Sequence, residues 1–233
     1  LFLLYTADLL ALIRQNELHP HLYADDTQIY GFCKPNGTND LQKSTSACIN
    51  DVSRWMKANR LQLNTAKTEV MWCASSRRKY QLPVAPFDVG EDAVTPVRIV
   101  RDLGVYVDAD LSMTTHVSKT VSACFAALRQ IRSIRRSVPR MVLKTLVASL
   151  VLSKLDYGIS TLAGLPVCQL NRLQSVLNAA ARLVCSARKY DHVTPLLREL
   201  HWLKVPERIT FRLSVLVYRC LHGQAPSYLT GVR

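Results

Sequence analysis

Beyond Ser112 the apolar residues recur every three or four positions, and the pattern is helical to the end of the chain. Val117, Val121, Cys124, Leu128 and Ile131 share one face of a first predicted helix, while Arg129, Arg132 and Arg136 align on another at spacings of three and four. Ser137-Val138-Pro139 interrupts it. Pro139 suits the first turn of a second helix running to about Asp156, which Gly158 ends. Leu170, Leu173, Leu177 and Ala180 predict a third helix over 167–185, and a fourth covers 207–222. Trp202 and Tyr218 read as core aromatics.

The first half of the chain changes period repeatedly. Leu1, Leu4, Leu9 and Leu12 make a stripe that predicts the end of a buried helix begun upstream. Short strands follow at 21–24 and 27–32, then a helix over 40–58 with Leu41, Cys48, Val52 and Trp55 on its apolar face and Asn59 as a left-handed stop. Leu61 and Leu63 alternate as a strand, 64–67 turn, and 69–73 return as a second strand. Ser75-Ser76-Arg77-Arg78-Lys79 reads as an exposed polar loop. Strands at 87–89 and 93–97 flank Gly90-Glu91-Asp92, and 98–107 is a further strand run. Gly104 within that run fits either a bulge or a close backbone approach. The expected class is α+β, with a mixed region over 1–111 and an all-α region over 112–233. No fixed-period repeat or low-complexity segment is present.

Composition adds a partner class. With 233 residues and 48% hydrophobic content, the chain can bury one substantial core or two small ones. The formal charge is +13, and its placement is uneven. Residues 1–119 carry 13 basic and 13 acidic side chains, and residues 120–233 carry 17 and 4, so the excess of 17 − 4 = +13 lies in the second half. A basic surface without a Lys/Arg block points to a folded face for a polyanion. The seven cysteines include no Cys-x-x-Cys pair. Without a signal peptide they read as reduced, mostly buried thiols of an intracellular protein. The apolar run Leu1–Ile13 is broken by Asp8 and falls short of the ~20 residues that span a bilayer, so no membrane is expected.

Asp25 and Asp26 stand at the bend between the first two strands. Asp commonly occupies turns for structural reasons, but two adjacent carboxylates at a hairpin tip also supply the oxygen ligands that a divalent cation takes. There is no Ser/His/Asp arrangement and no Gly-rich phosphate loop. His192, His201 and His222 are spaced as capping or packing residues rather than as a metal site.

The order Tyr23-Ala24-Asp25-Asp26, Trp55-Met56, Asn59-Arg60-Leu61-Gln62-Leu63-Asn64, Lys67-Thr68-Glu69 and Asp102-Leu103-Gly104-Val105 resembles the polymerase of non-LTR, LINE-type retrotransposons, nearest the Jockey and chicken-repeat-like branch. The segments 192–203 and 221–229 are similar to the helical region that follows that polymerase. This resemblance implies the second half of a polymerase palm over 1–111, then a thumb and helical extension over 112–233. It implies RNA-directed DNA synthesis with two Mg²⁺ ions. Asp25 would be a direct ligand, Asp26 would support the site, Tyr23 would pack beside the primer end, and Ala24 would leave room for the nucleic-acid backbone. Lys67 would flank the incoming nucleotide, although a solvated turn lysine fits its position equally. Leu103 and Gly104 would belong to the hairpin that grips the primer, and Arg129, Arg132 and Arg136 would face the RNA–DNA duplex of template and primer. The family's first metal-binding aspartate and its Ser/Gly/Pro pocket motif do not occur in this sequence, so the chain alone is expected not to polymerise DNA. The alternatives are a non-catalytic, basic nucleic-acid-binding remnant of a decayed element and a helical protein-interaction module.

Overall fold

The computed structural model describes residues 2–230 apart from 76 and 91, so the expectations placed on Leu1, Ser76 and Glu91 lie outside the described residues. It is a mixed α and β chain of small antiparallel hairpins and helices. The chain forms two compact units, 1–100 with 108–111, and 101–107 with 112–233.

In the first unit, helices α1 (Phe2–Tyr5) and α2 (Ala7–Gln15) precede strands β1 (His19–Tyr23) and β2 (Asp26–Tyr30), and α3 (Thr38–Ala58) follows. The expected first stripe is corrected. Leu9 and Ile13, four apart, are buried, whereas Leu4 is 80% exposed. Leu9, Ile13, Leu18, Cys48 and Val52 form the small core, with Leu22 and Ile29 of the hairpin and Leu41 and Trp55 of α3 packed against it. Gly31 permits this closure, because a Cβ there would lie 2.6 Å from Leu41 Cδ1 and 2.7 Å from Leu18 Cδ2.

α3 ends in a Schellman motif, with Leu61 N–H donating to Met56 O (2.8 Å) and Arg60 N–H to Lys57 O (3.2 Å). The left-handed residue is Arg60, at φ 56°, and not Asn59, at φ −95°. The strands expected at 61–63 and 69–73 form no ladder. The second is instead fixed by single bonds, Val97 N–H to Val70 O (2.8 Å) and Ala74 N–H to Ala109 O (3.0 Å). Strands β3 (Phe87–Val89) and β4 (Asp92–Val94) pair antiparallel, with Phe87 and Val89 buried.

The strand run at 98–107 is a hairpin, β5 (Ile99–Asp102) and β6 (Val105–Asp108), turning at Leu103-Gly104. Both turn residues have positive φ, 44° and 86°, the signature of a two-residue primed turn. Gly104 is therefore no bulge. It is a close approach, since a Cβ there would sit 3.2 Å from Tyr157 Cε1.

The second unit is built on α4 (Thr114–Ile134), α5 (Arg140–Val147), α6 (Ser153–Asp156), α7 (Val167–Val184), α8 (Val193–Glu199), α9 (Val205–Leu221) and α10 (Ser227–Thr230). Val117, Cys124, Leu128 and Ile131 of α4 meet Leu173, Val176, Leu177 and Ala180 of α7 in one large core. Pro139 is the N-cap of α5 rather than a first-turn residue, and its carbonyl accepts from Leu143 N–H (3.1 Å). A π-helical stretch, Ala148–Leu152, carries α5 into α6. Gly158 follows at φ 62°. Arg208 of α9 grips Asp156 with two bonds of 2.9 and 2.7 Å, both side chains being partly buried. Trp202 packs on the core, but Tyr218 does not. It is 55% exposed and stacks on His222 at 3.9 Å between ring centroids.

Candidate nucleic-acid interface and carboxylate hairpin

The β1–β2 register pairs Tyr23 with Asp26, so Ala24 and Asp25 alone form the turn. Ala24 stands at φ 55°, the left-handed region that favours glycine, and this sharp reversal projects Asp25 at the tip. Tyr23, Ala24, Asp25 and Asp26 are all exposed. Strand alternation sends Leu22 and Ile29 into the core and places His19, His21, Tyr23, Asp26, Gln28 and Tyr30 on the outer face. There His19 stacks on Tyr30 at 5.4 Å, and Phe32 closes the group at 5.7 Å from His19.

Two adjacent carboxylates fit part of a hard cation's oxygen set, with water and phosphate oxygens as the other ligands. They do not fit a site that fixes two ions, because that requires ligands from a further element. Among the described residues no group of three or more His, Cys, Asp or Glu side chains is placed to hold a metal. Lys67 is exposed in a 3₁₀ turn, Thr65–Lys67, closed by its N–H to Asn64 O (3.1 Å) and by Thr68 Oγ1 to the same carbonyl (3.0 Å). That turn presents the lysine to solvent.

Leu103 and Gly104 are held in the second unit. Tyr157 O–H donates to Leu103 O, and Val105 lies over Gly158, where a Cβ would come within 3.0 Å of Val105 Cγ2. Tyr106 N–H donates to Nδ1 of buried His116 (3.4 Å).

Arg129 and Arg132 project from α4 and are exposed, but Arg136 lies beyond the helix end. Arg132 and Arg136 line, with Ser133 and Arg135, a recess where α4 ends, and Arg129 is not among its lining residues. Arg135 is the residue that pattern reading missed, and the available signal was three arginines within five positions. From 111 to 155 the chain carries eight Lys and Arg and no Asp or Glu. The ion pairs Arg140–Glu199 and Arg208–Asp156 of this unit leave these arginines out.

The seven cysteines are not joined to one another, and only Cys48 and Cys124 are buried, which corrects the expectation of mostly buried cysteines. Burial, aided by the nearby Asp51 charge, pushes the Cys48 thiol up to about 11, and burial does the same for Cys124 against a smaller opposing effect of Lys154. Among the described residues no helix is long and apolar enough to cross a membrane. No family model, curated protein or solved structure matches this chain.

Proposed function

We propose that the chain is the C-terminal portion of a LINE-type reverse transcriptase, carrying the palm's carboxylate hairpin and the basic helical region that holds an RNA–DNA duplex. The observation that carries this reading is the pairing of Tyr23 with Asp26 across a two-residue turn, which sets Tyr23, Asp25 and Asp26 together on an exposed tip. The eight basic and no acidic residues of 111–155 supply the second element, a surface suited to sugar-phosphate backbone without base reading.

Mg²⁺ at this hairpin would supply Lewis-acid activation and charge neutralisation at phosphorus. Two carboxylates cannot fix the two ions, so the isolated chain binds nucleic acid without extending a primer. Primer extension on an RNA template with Mg²⁺ tests this, using the chain and its Asp25→Ala variant. Neither incorporates nucleotide alone. Activity returns when a polypeptide bearing the family's earlier palm strand and pocket motif is added, and Asp25→Ala abolishes it. Incorporation by the isolated chain that vanishes in Asp25→Ala would overturn the reading of an incomplete site.

The second reading is a non-catalytic nucleic-acid-binding protein, favoured by the two-carboxylate hairpin having, among the described residues, no group of three or more His, Cys, Asp or Glu placed to hold a metal. It predicts duplex binding with no activity under either condition.

A further inference from the structure

We infer that Arg132, Arg135 and Arg136 together clamp a single phosphodiester group of a nucleic-acid backbone, and that Arg129 takes no part; this rests on the nucleic-acid-binding reading above. Residues at i, i+3 and i+4 are neighbours on a helical surface. The chain keeps that geometry past the end of α4, because Arg135 retains helical angles (φ −58°, ψ −27°) and Ser137 N–H donates to Ile134 O at 2.9 Å. The three arginines therefore line one recess.

Ser133 lines the same recess, but its hydroxyl proton is committed to Gln130 O at 2.7 Å. The donors offered there are guanidinium N–H groups. Planar N–H forks match the oxygens of a phosphate. Like charges a turn apart oppose helix formation. The helix dipole favours cations at a C-terminus, yet that gain is available to charges anywhere in the last turn and does not call for a shared recess. An anion seated among the three offsets their repulsion. No side chain between 111 and 155 can be that anion, since the segment has no acid.

The test uses the full chain and a labelled RNA–DNA duplex, with affinity followed by fluorescence anisotropy from about 50 to about 200 mM salt. One phosphate contributes roughly 0.9 to the slope of log affinity against log salt. Arg135→Gln should lower the slope by about 1, the triple variant R132Q/R135Q/R136Q by about the same amount, and Arg129→Gln not at all. A slope unchanged in Arg135→Gln overturns the clamp. So does a fall of about 3 in the triple variant, which would mean separate phosphates. Inorganic phosphate is the second probe, read by thermal shift, with saturable stabilisation in the wild type and none in Arg135→Gln. Arg135-dependent phosphate stabilisation without duplex binding would keep the anion site but overturn both its nucleic-acid occupant and the functional reading. Duplex binding indifferent to Arg135→Gln would overturn the clamp alone, and a chain that binds neither probe would overturn both.

Discussion

The phenolic hydroxyl of Tyr157 donates a hydrogen bond to the carbonyl of Leu103, fifty-four positions earlier in the chain. Beneath the same ring lies Gly104, and one residue further on each side Val105 meets Gly158, so a turn and a helix end interlock through two glycines. Gly104→Ala should cost about 2 kcal/mol, combining left-handed backbone strain with the collision against the ring. Tyr157→Phe removes only the hydrogen bond and should cost about 1 kcal/mol. Urea unfolding of the two variants checks the order, and equal midpoints with the wild type would show that the interlock contributes nothing.

Because residues 101–107 belong to the helical unit, its excision point matters. A fragment beginning at 112 loses the Tyr157–Leu103 and His116–Tyr106 bonds and the packing of Val105 on the core. A fragment of 99–233 should melt several degrees above one of 112–233, since ~2 kcal/mol corresponds to roughly 10 °C for a domain near 100 residues. Differential scanning calorimetry of the two decides it.

The Arg208–Asp156 pair joins α9 to the end of α6 with both side chains partly removed from water. Arg208→Ala should cost about 2 kcal/mol, more than an exposed pair is worth, because it strands a carboxylate. A double-mutant cycle with Asp156→Ala should give a coupling of about 1–2 kcal/mol, and additive single losses would contradict it.

Buried thiols set an alkaline limit. Cys48 and Cys124 ionise near 9.0 when unfolded and at about 11 when folded. Below the lower value both states are protonated and nothing changes. Between the two, the unfolded chain has released the protons that the folded chain retains, so stability falls as pH rises through this window. Replacing both by alanine should flatten that fall, as measured by urea midpoints across the window.

The Ala24 turn carries strain that glycine would relieve. Ala24→Gly should stabilise the hairpin by up to about 1 kcal/mol, whereas Gly31→Ala should destabilise the unit by about 1–3 kcal/mol through its contacts with Leu41 and Leu18. Hydrogen-exchange protection of β1 and β2 amides reads both changes.

Where apolar residues repeated over several turns, as in α3, α4 and α7, periodicity alone located the helix and its buried face. It failed at chain reversals. Leu103 and Arg60 adopt left-handed angles that their side chains do not advertise, so the β5–β6 turn and the true end of α3 were hidden. Residues 61–63 and 69–73 alternate like strands, but none of the bonds that fix the latter adds up to a ladder. The Asp25-Asp26 pair at a hairpin end was legible because the carboxylates are adjacent in the chain itself, although the turn is Ala24-Asp25 and Asp26 already pairs in β2. The arginine recess was not, because the row Arg129, Arg132, Arg136 passes over Arg135, which lies three positions from Arg132 but beyond the end of α4.

The π-helical stretch Ala148–Leu152 acts as a vernier. Leu143, Val147, Val151 and Leu155 are spaced by fours and are all buried, although in a regular α-helix such a row would swing about 40° per step and leave the core after three. The wide turn winds that drift back. Deleting one residue within it would restore ordinary α-helical hydrogen bonding and leave Leu155 about 20° from Leu143, still facing the core, whereas inserting one would swing Leu155 and Asp156 round by about 100°. Between Arg140 and Asp156 the fold thus tolerates a residue lost from the wide turn better than a residue gained.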